Sequence, residues 1–175
     1  MYARMIALLA EAGIRKTHLI GDPKKYGNLG ISYIPDLWPG EGPLEGIVTA
    51  LAYNESVDET AYNLIVSCDM PFLTSEWIAH LLDQARKSGA QITLAQSEHG
   101  LEPLCSVWHT EIAFEVKKLF RGGIRKVTEA LKSFTIEVLD EADWKRFDSA
   151  GRLFWNMNTV ADYEEARRIV EAERK

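Results

Sequence analysis

Cysteine is scarce in this chain. Cys68 and Cys105 are the two among 175 residues, far apart and in no Cys-x-x-Cys pair. That argues against a disulfide framework or a zinc site and fits a reducing cytoplasm. Basic charge is also short: 20 Lys and Arg stand against 26 Asp and Glu, a formal net charge of −6. A surface that wraps a nucleic-acid backbone is normally basic, so extended nucleic-acid binding is not expected. A small anionic ligand in a local site remains compatible with the acidic total. Long apolar runs are missing. Met1 to Ala12 is apolar and helical in pattern, but it is too short to cross a bilayer and carries no cleavage site. No repeat, low-complexity segment or linker interrupts the chain. His18, His80, His99 and His109 show no metal-ligand spacing, and no Ser–His–Asp or Cys–His set is evident.

What is present is an ordinary soluble composition, 46% hydrophobic and 26% charged, in a length that suits one domain over 1–175 with a sizeable core. The patterns predict a helix over 1–12 stopped by Gly13, a strand over 17–20, the turn Gly21-Asp22-Pro23, and a strand over 31–34 closed by Pro35-Asp36. A glycine-proline loop, 39–43, leads into a helix over 44–53. Asn63 to Ser67 is a short apolar run containing Ile and Val, with no charge before Asp69, and it reads as a strand buried on both faces. A helix over 75–87 follows, with Trp77, Ile78, Leu81 and Leu82 inward. Strands over 91–95 and 104–108 come next, then helices over 111–120 and 124–131 and a strand over 135–139. The piece 154–159 is extended, and a helix runs from Val160 to about Glu173. The end from Glu171 to Lys175 reads as a solvated helix terminus. Strands alternate with helices almost throughout, which predicts an α/β fold around a parallel or mostly parallel sheet.

The chain is organised around the run that ends in Asp69. Pro71 forces the backbone out of the sheet just after it. Ligands of open α/β sheets sit beyond the carboxyl ends of strands. A single carboxylate there can hold Mg²⁺ against a nucleotide's phosphates, because that ion usually takes one or two carboxylates plus phosphate oxygens. Asp is also a common helix cap, and a helix follows. Gly42 and Gly46 would let backbone come close to a ligand, and a helix beginning there points its amides at it. A Gly-Pro turn into a helix is also simply a turn. Cys68, inside the strand, reads as inert packing. His80 reads as packing or solvent-exposed. His99, in the polar Ser97–Gly100 turn, could reach a ligand.

The ordered set Gly42-Pro43-Leu44-Glu45-Gly46-Ile47, Cys68-Asp69-Met70-Pro71-Phe72, Glu102-Pro103-Leu104, the turn from Arg121 to Lys126, and Asn156-Met157-Asn158-Thr159 resembles the MobA family of molybdenum cofactor guanylyltransferases. The resemblance covers nearly the whole chain. It implies a Rossmann-like nucleotidyltransferase, a three-layer α/β/α sandwich, that attaches GMP from GTP to the terminal phosphate of molybdopterin and releases pyrophosphate. The substrate's own phosphate is then the nucleophile, and the protein aligns two polyanions and neutralises charge. Asp69 resembles the family's magnesium-binding acid. Asp36 resembles the residue near guanine and ribose, with Leu44 and Gly46 lining that side. Asn156 and Asn158 resemble the pair facing molybdopterin. Arg125 and Lys126 are candidates for the pterin phosphate, with a solvated basic turn as the alternative. Trp155 is placed to pack on a flat pterin and Trp38 to border the nucleotide. Molybdoenzyme apoproteins and other cofactor-assembly proteins would be further partners.

One departure stands out. The family opens with a strand running into a loop of the form Gly-Gly-x-Ser-x-Arg-Met-Gly-x-Asp-Lys, and Met1-Tyr2 aligns with the helix after it. Neither Gly122-Gly123-Ile124-Arg125-Lys126 nor Gly27 to Gly30 replaces that loop. In the family the strand is central, between those at 17–20 and 63–67, so its absence predicts two strand edges without partners. The expectation is a chain shorter than the natural protein, with weak or no transfer by the 175 residues themselves. A different nucleotide or phosphate acceptor, or a non-catalytic nucleotide- or pterin-binding role, is the alternative.

Overall fold

The computed structural model describes residues 2–22, 24, 30–57, 60–148 and 150–173. Met1, Pro23 of the first turn, Gly27, and Arg174 and Lys175 of the charged end lie outside the described residues. Helix α1 (Tyr2–Glu11) buries Met5, Leu8 and Leu9 on one stripe and ends at Gly13, whose φ of 84° suits a residue without a Cβ. Two short strands, β1 (His18–Ile20) and β2 (Ser32–Ile34), pair in parallel. Helix α2 (Pro43–Val57) leads to β3 (Tyr62–Val66). Helix α3 (Ser75–Ser88) starts where the Thr74 hydroxyl accepts the Trp77 amide proton. It ends at left-handed Gly89, with Glu76 in its first turn and Arg86 and Lys87 in its last, matched to the helix dipole.

Strands β4 (Ile92–Ser97) and β5 (Gly100–His109) form an antiparallel hairpin, and β6 (Ile136–Leu139) lies parallel to β4. Helices α4 (Ala113–Arg121), α5 (Val127–Ala130), α6 (Glu141–Trp144) and α7 (Val160–Glu173) complete the described elements with short 3₁₀ turns. The larger sheet has the order β3-β5-β4-β6, with β5 antiparallel to both neighbours, so β3, β4 and β6 share one direction.

Two apolar layers sandwich this sheet. On one face α1, α3 and α6 pack with Ala95, Cys105, Val107 and Phe154. On the other, α2, α4 and α5 pack with Ile92, Leu94 and Trp108. The alternation of neighbouring strand residues between the two clusters is the pleat at work. Trp77 and Trp108 are fully buried, and each indole N–H finds a partner: Cys105 Sγ at 3.4 Å and Ser106 Oγ at 2.7 Å. The three-layer α/β/α sandwich expected from the sequence is present.

Three details differ from expectation. The strand over 62–66 is half-buried at every residue rather than buried on both faces, because it is the edge of its sheet and a cavity lies beside it. The strand expected over 104–108 runs from Gly100 and joins β4 through a two-residue turn at Glu98 and His99. No helix separates the pair, so β5 has to reverse direction. His99 therefore sits exposed at a hairpin tip beside Glu98, and Ser97 donates to buried Glu102 at 2.6 Å across the base of the turn. Helix α6 was not anticipated. Asp140 and Asp143 form a reciprocal cap around its first turn, and Trp144 buries against the first layer with its N–H on Gln96 O. Among the described residues no helix is long and apolar enough to cross a membrane.

Candidate active site

Beyond Val66 the backbone keeps one more sheet bond, Ser67 N–H to Leu104 O at 2.8 Å, and then leaves. Met70 and Leu73 plunge into the core and anchor the departing loop on either side of Pro71. Asp69 is held at the carboxyl end of β3 between the sheet and these anchors. It does not cap the following helix: Thr74 does. Its Oδ1 is buried and has no hydrogen-bond partner among the described residues. A buried carboxylate oxygen left without a donor costs free energy, so such an atom calls for an explanation. A hard anionic oxygen so placed is one that could hold a cation.

The Asp69 main chain performs a second task. Its carbonyl accepts the Met157 amide proton at 2.9 Å. That bond lays the Asn156–Asn158 segment against the acid although nearly ninety positions separate them. Asn156 donates from Nδ2 to Phe154 O at 3.2 Å. Asn158 N–H donates to Asp162 Oδ2 at 2.9 Å, and Asp162 and Thr159 cap α7 reciprocally. Hydrogen bonding to Thr159, through its side chain and then its backbone, holds the exposed Asp162 carboxyl below the usual carboxylate range. Trp155 stacks on Phe72, ring centroids 5.5 Å apart, and the Arg152 guanidinium lies over the Phe72 ring, 4.9 Å from its centroid. Beside Asp69, burial and then the Asp69 charge push the Cys68 thiol up, which keeps it protonated and unreactive.

The loop carrying Asp36 is fixed from α2. Leu37 N–H donates to Thr49 Oγ1 at 3.1 Å, Trp38 N–H donates to Glu45 Oε1 at 3.1 Å, and Thr49 Oγ1 donates to the same oxygen at 2.7 Å. Both side chains are buried. This three-point clasp sets the backbone from which half-buried Asp36 projects. Trp38 packs on Phe120 with centroids 5.1 Å apart.

A cavity of about 910 Å³ opens at this end of the sheet and is lined there by Pro43, Gly46, Ser67, Cys68 and Asp69. Gly46 is informative because a Cβ built on it meets nothing within 4 Å. Packing therefore does not demand glycine inside this helix, where it costs about 1 kcal/mol relative to alanine; the free space is what it provides.

The structure thus brings together Asp69, Gly46, Asn156 and Asn158. Two expectations do not hold. Leu44 is fully buried in the second apolar layer, so its side chain cannot line a ligand. Two residues further on, about 200° around the helix, Gly46 faces the cavity instead. Arg125 and Lys126 are not beside the asparagines. Arg125 stacks 4.2 Å over Phe120, donates to Phe120 O at 2.6 Å and pairs with Glu41 at 2.6 Å, all on the opposite layer. Lys126 is exposed at the start of α5. Both belong to the glycine-loop side, and the distance in space removes them from the acceptor end.

The sequence reading missed Arg152, over Phe72, and Arg4, whose guanidinium donates to Leu73 O at 3.2 Å in the Asp69 loop. Neither carries a local signal; a lone arginine in a helix or turn looks like a solvated one.

Comparison with known proteins identifies the family. The profile of the MobA-like NTP transferase domain matches residues 1–135. A probable molybdenum cofactor guanylyltransferase of Clostridium perfringens (strain SM101 / Type A) is 29% identical over 146 residues, which span 82% of this chain and 71% of that protein. The molybdenum cofactor guanylyltransferase of Bradyrhizobium sp. (strain ORS 278) is 29% identical over 156 residues, 87% of this chain and 71% of its own. The crystal structure of molybdopterin-guanine dinucleotide biosynthesis protein A from Archaeoglobus fulgidus superposes with a TM-score of 0.78. The match covers 96% of this chain and 85% of that one at 24% identity, a likeness of fold. Asn156 and Asn158 lie beyond the profile match, and the Met157–Asp69 bond ties their segment to the Asp69 loop. On these findings the chain is a nucleotidyltransferase and belongs to the MobA-like NTP transferase domain family.

Proposed function

We propose that this domain transfers GMP from GTP to the terminal phosphate of molybdopterin. An oxygen of the acceptor phosphate attacks the α-phosphorus, the bond from that phosphorus to the bridging oxygen breaks, and pyrophosphate leaves. The observation that carries the reading is the buried Oδ1 of Asp69, which has no hydrogen-bond partner among the described residues and belongs to a residue lining the cavity. Relatives named as molybdenum cofactor guanylyltransferases support the choice of donor and acceptor.

A divalent cation, Mg²⁺ in this proposal, fits the donor set. Among the described residues no group of three or more His, Cys, Asp or Glu could hold a metal. A single carboxylate suits an ion that takes its other ligands from phosphates and water. Such an ion, when bound, neutralises charge on the phosphates being transferred. The protein's share is placement. Asp69 fixes the position of the phosphates, Gly46 leaves room for the nucleotide, and Asp36, on the loop held by the Glu45–Thr49 clasp, is the proposed contact to base and ribose. Asn156 and Asn158 present amides to the acceptor. No side-chain nucleophile is needed. Cys68 and Cys105, both free thiols, suit a reducing compartment such as the cytoplasm.

Binding of the donor nucleotide is the direct readout of the Asp69 site. Calorimetry of GTP and CTP, each with and without Mg²⁺, tests the proposal. GTP binding that strengthens with Mg²⁺ and exceeds CTP binding is expected. Equal or stronger CTP binding, or GTP binding indifferent to Mg²⁺, would refute it.

A further inference from the structure

Glu102 belongs to a motif, Glu102-Pro103-Leu104, that the transfer chemistry leaves without a task. The residue is 8% exposed, near the start of β5. Ser97 Oγ–H donates to its Oε1 at 2.6 Å, and Ser97 in turn accepts the His99 amide proton at 3.0 Å. Oε2 has no hydrogen-bond partner among the described residues, yet it is not enclosed as Asp69 Oδ1 is. Burial holds the carboxyl above the usual carboxylate range, against the pull of the Ser97 bond and then of His99. An acid so placed lacks donors for its charged form, and N–H groups of a ligand would supply them.

The backbone brings this acid to the Asp69 end of the sheet. Val66 pairs with Cys105, and on the next rung Ser67 N–H donates to Leu104 O. Counted two rungs further, where β3 has already left, the register sets Asp69 opposite Glu102. On its other edge β5 bulges: Leu94 faces Ser106 and Gln96 faces Leu101, so Ala95 alone spans residues 102–105. Bulges gather beside active sites, where they re-aim a side chain. β1 and β3 line one cavity and β2 pairs with β1, so the loop with Asp36 lies on that side of Asp69. Glu102 lies on the other side, toward β4. There Trp144 N–H donates to Gln96 O at 3.0 Å, the Trp144 ring packs 5.4 Å from Phe154, and Phe154 O accepts from Asn156. The hairpin base thus joins the segment assigned above to the acceptor.

We propose that Glu102 reads the pterin ring of the acceptor, its carboxylate accepting from a ring N–H and from the amino group on the adjacent carbon. Charged acceptors make the stronger hydrogen bonds, and two parallel donors on a planar group fit a carboxylate fork. A pterin carries that edge, and so does guanine. The position of Glu102 on the β4 side of Asp69 assigns the contact to the acceptor. The choice of ligand rests on the guanylyl-transfer reading, but the contact is measurable without transfer.

The test is calorimetric binding of two probes to the whole chain. One is neopterin monophosphate, a pterin with a phosphorylated side chain. The other is the lumazine with the same side chain, in which an oxygen replaces the amino group. The wild-type protein is expected to bind the pterin about ten-fold or more tighter. Glu102→Gln keeps the side chain's length and an acceptor for Ser97, and it should erase that preference while Tm stays within about 2–4 °C. Equal binding of the two probes by the wild-type protein, or binding of neither, overturns the proposal. So does a preference that survives Glu102→Gln. A second arm compares GTP with inosine triphosphate, whose base lacks guanine's amino group, each with Mg²⁺. Loss of that discrimination in Glu102→Gln would assign the residue to the nucleotide and also overturn the proposal. A wild-type protein that selects the pterin but binds no GTP would sustain this contact and refute the transfer reading.

Discussion

Asp69→Asn separates a ligand-holding acid from a structural one. The change keeps the shape of the side chain and leaves untouched the main-chain carbonyl that accepts from Met157. The helix after it is capped by Thr74, so no cap is lost. Asp69 Oδ1 makes no hydrogen bond among the described residues. The folded state therefore loses little, and stability should stay within about 1 kcal/mol, about 2–4 °C in Tm for a chain of this size. Binding is different. A contact made to a charged group contributes about 1.5–3 kcal/mol, about 10- to 100-fold in affinity. With GTP and Mg²⁺ at 100 times the wild-type Kd, the wild-type protein gains about 2.7 kcal/mol from ligand. A variant weakened 100-fold gains about 0.4 kcal/mol under the same conditions. A thermal shift of roughly 5–10 °C should thus shrink to about 1 °C. A full ligand-induced shift in the variant would show that Asp69 does not hold the ion. A ligand-free Tm lowered by much more than 4 °C would show that its role is structural.

Gly46→Ala should raise stability by up to about 1 kcal/mol in urea unfolding, because the helix gains propensity and the Cβ meets no atom; the same variant should weaken Mg²⁺–GTP binding by calorimetry, and unchanged binding would remove Gly46 from the site. Glu45→Ala strips the acceptor from Trp38 N–H and Thr49 Oγ1 and should cost about 1–3 kcal/mol in the same assay, while Glu45→Gln, which keeps an oxygen in place, should cost less. Cys105 gives a pH signature. Burial pushes its thiol from 9.0 up to about 12. The unfolded chain then releases a proton that the folded chain keeps, so stability is fully present below pH 9 and falls as pH rises from there toward about 12. The slope is at most about 1.4 kcal/mol per pH unit, and it should vanish in Cys105→Ala when unfolding is followed across that range.

The parts of this molecule that could be read in advance are those written in neighbouring residues. An apolar run, an acid and Pro71 within a few positions place a carboxylate at a strand end, and it is there. Gly13 and Gly89 stop helices where the periodicity runs out. The hairpin was hidden because its turn, Glu98-His99, carries none of the usual turn residues, and the positive φ falls one position later, on Gly100. Leu44 was misplaced although the geometry was available: residues two apart on a helix face nearly opposite ways, so one of Leu44 and Gly46 had to be core. Arg125 could not be resolved this way, since its partner Glu41 is 84 positions distant. Nor could Met157 N–H on Asp69 O, the bond that brings the two motifs together. Local chemistry names the groups that can act, and long-range main-chain bonds decide which of them act together. For the same reason a neutral side chain at position 157 should barely alter acceptor binding, whereas proline there, which deletes the amide proton, would uncouple Asn156 and Asn158 from the acid while leaving each in the sequence.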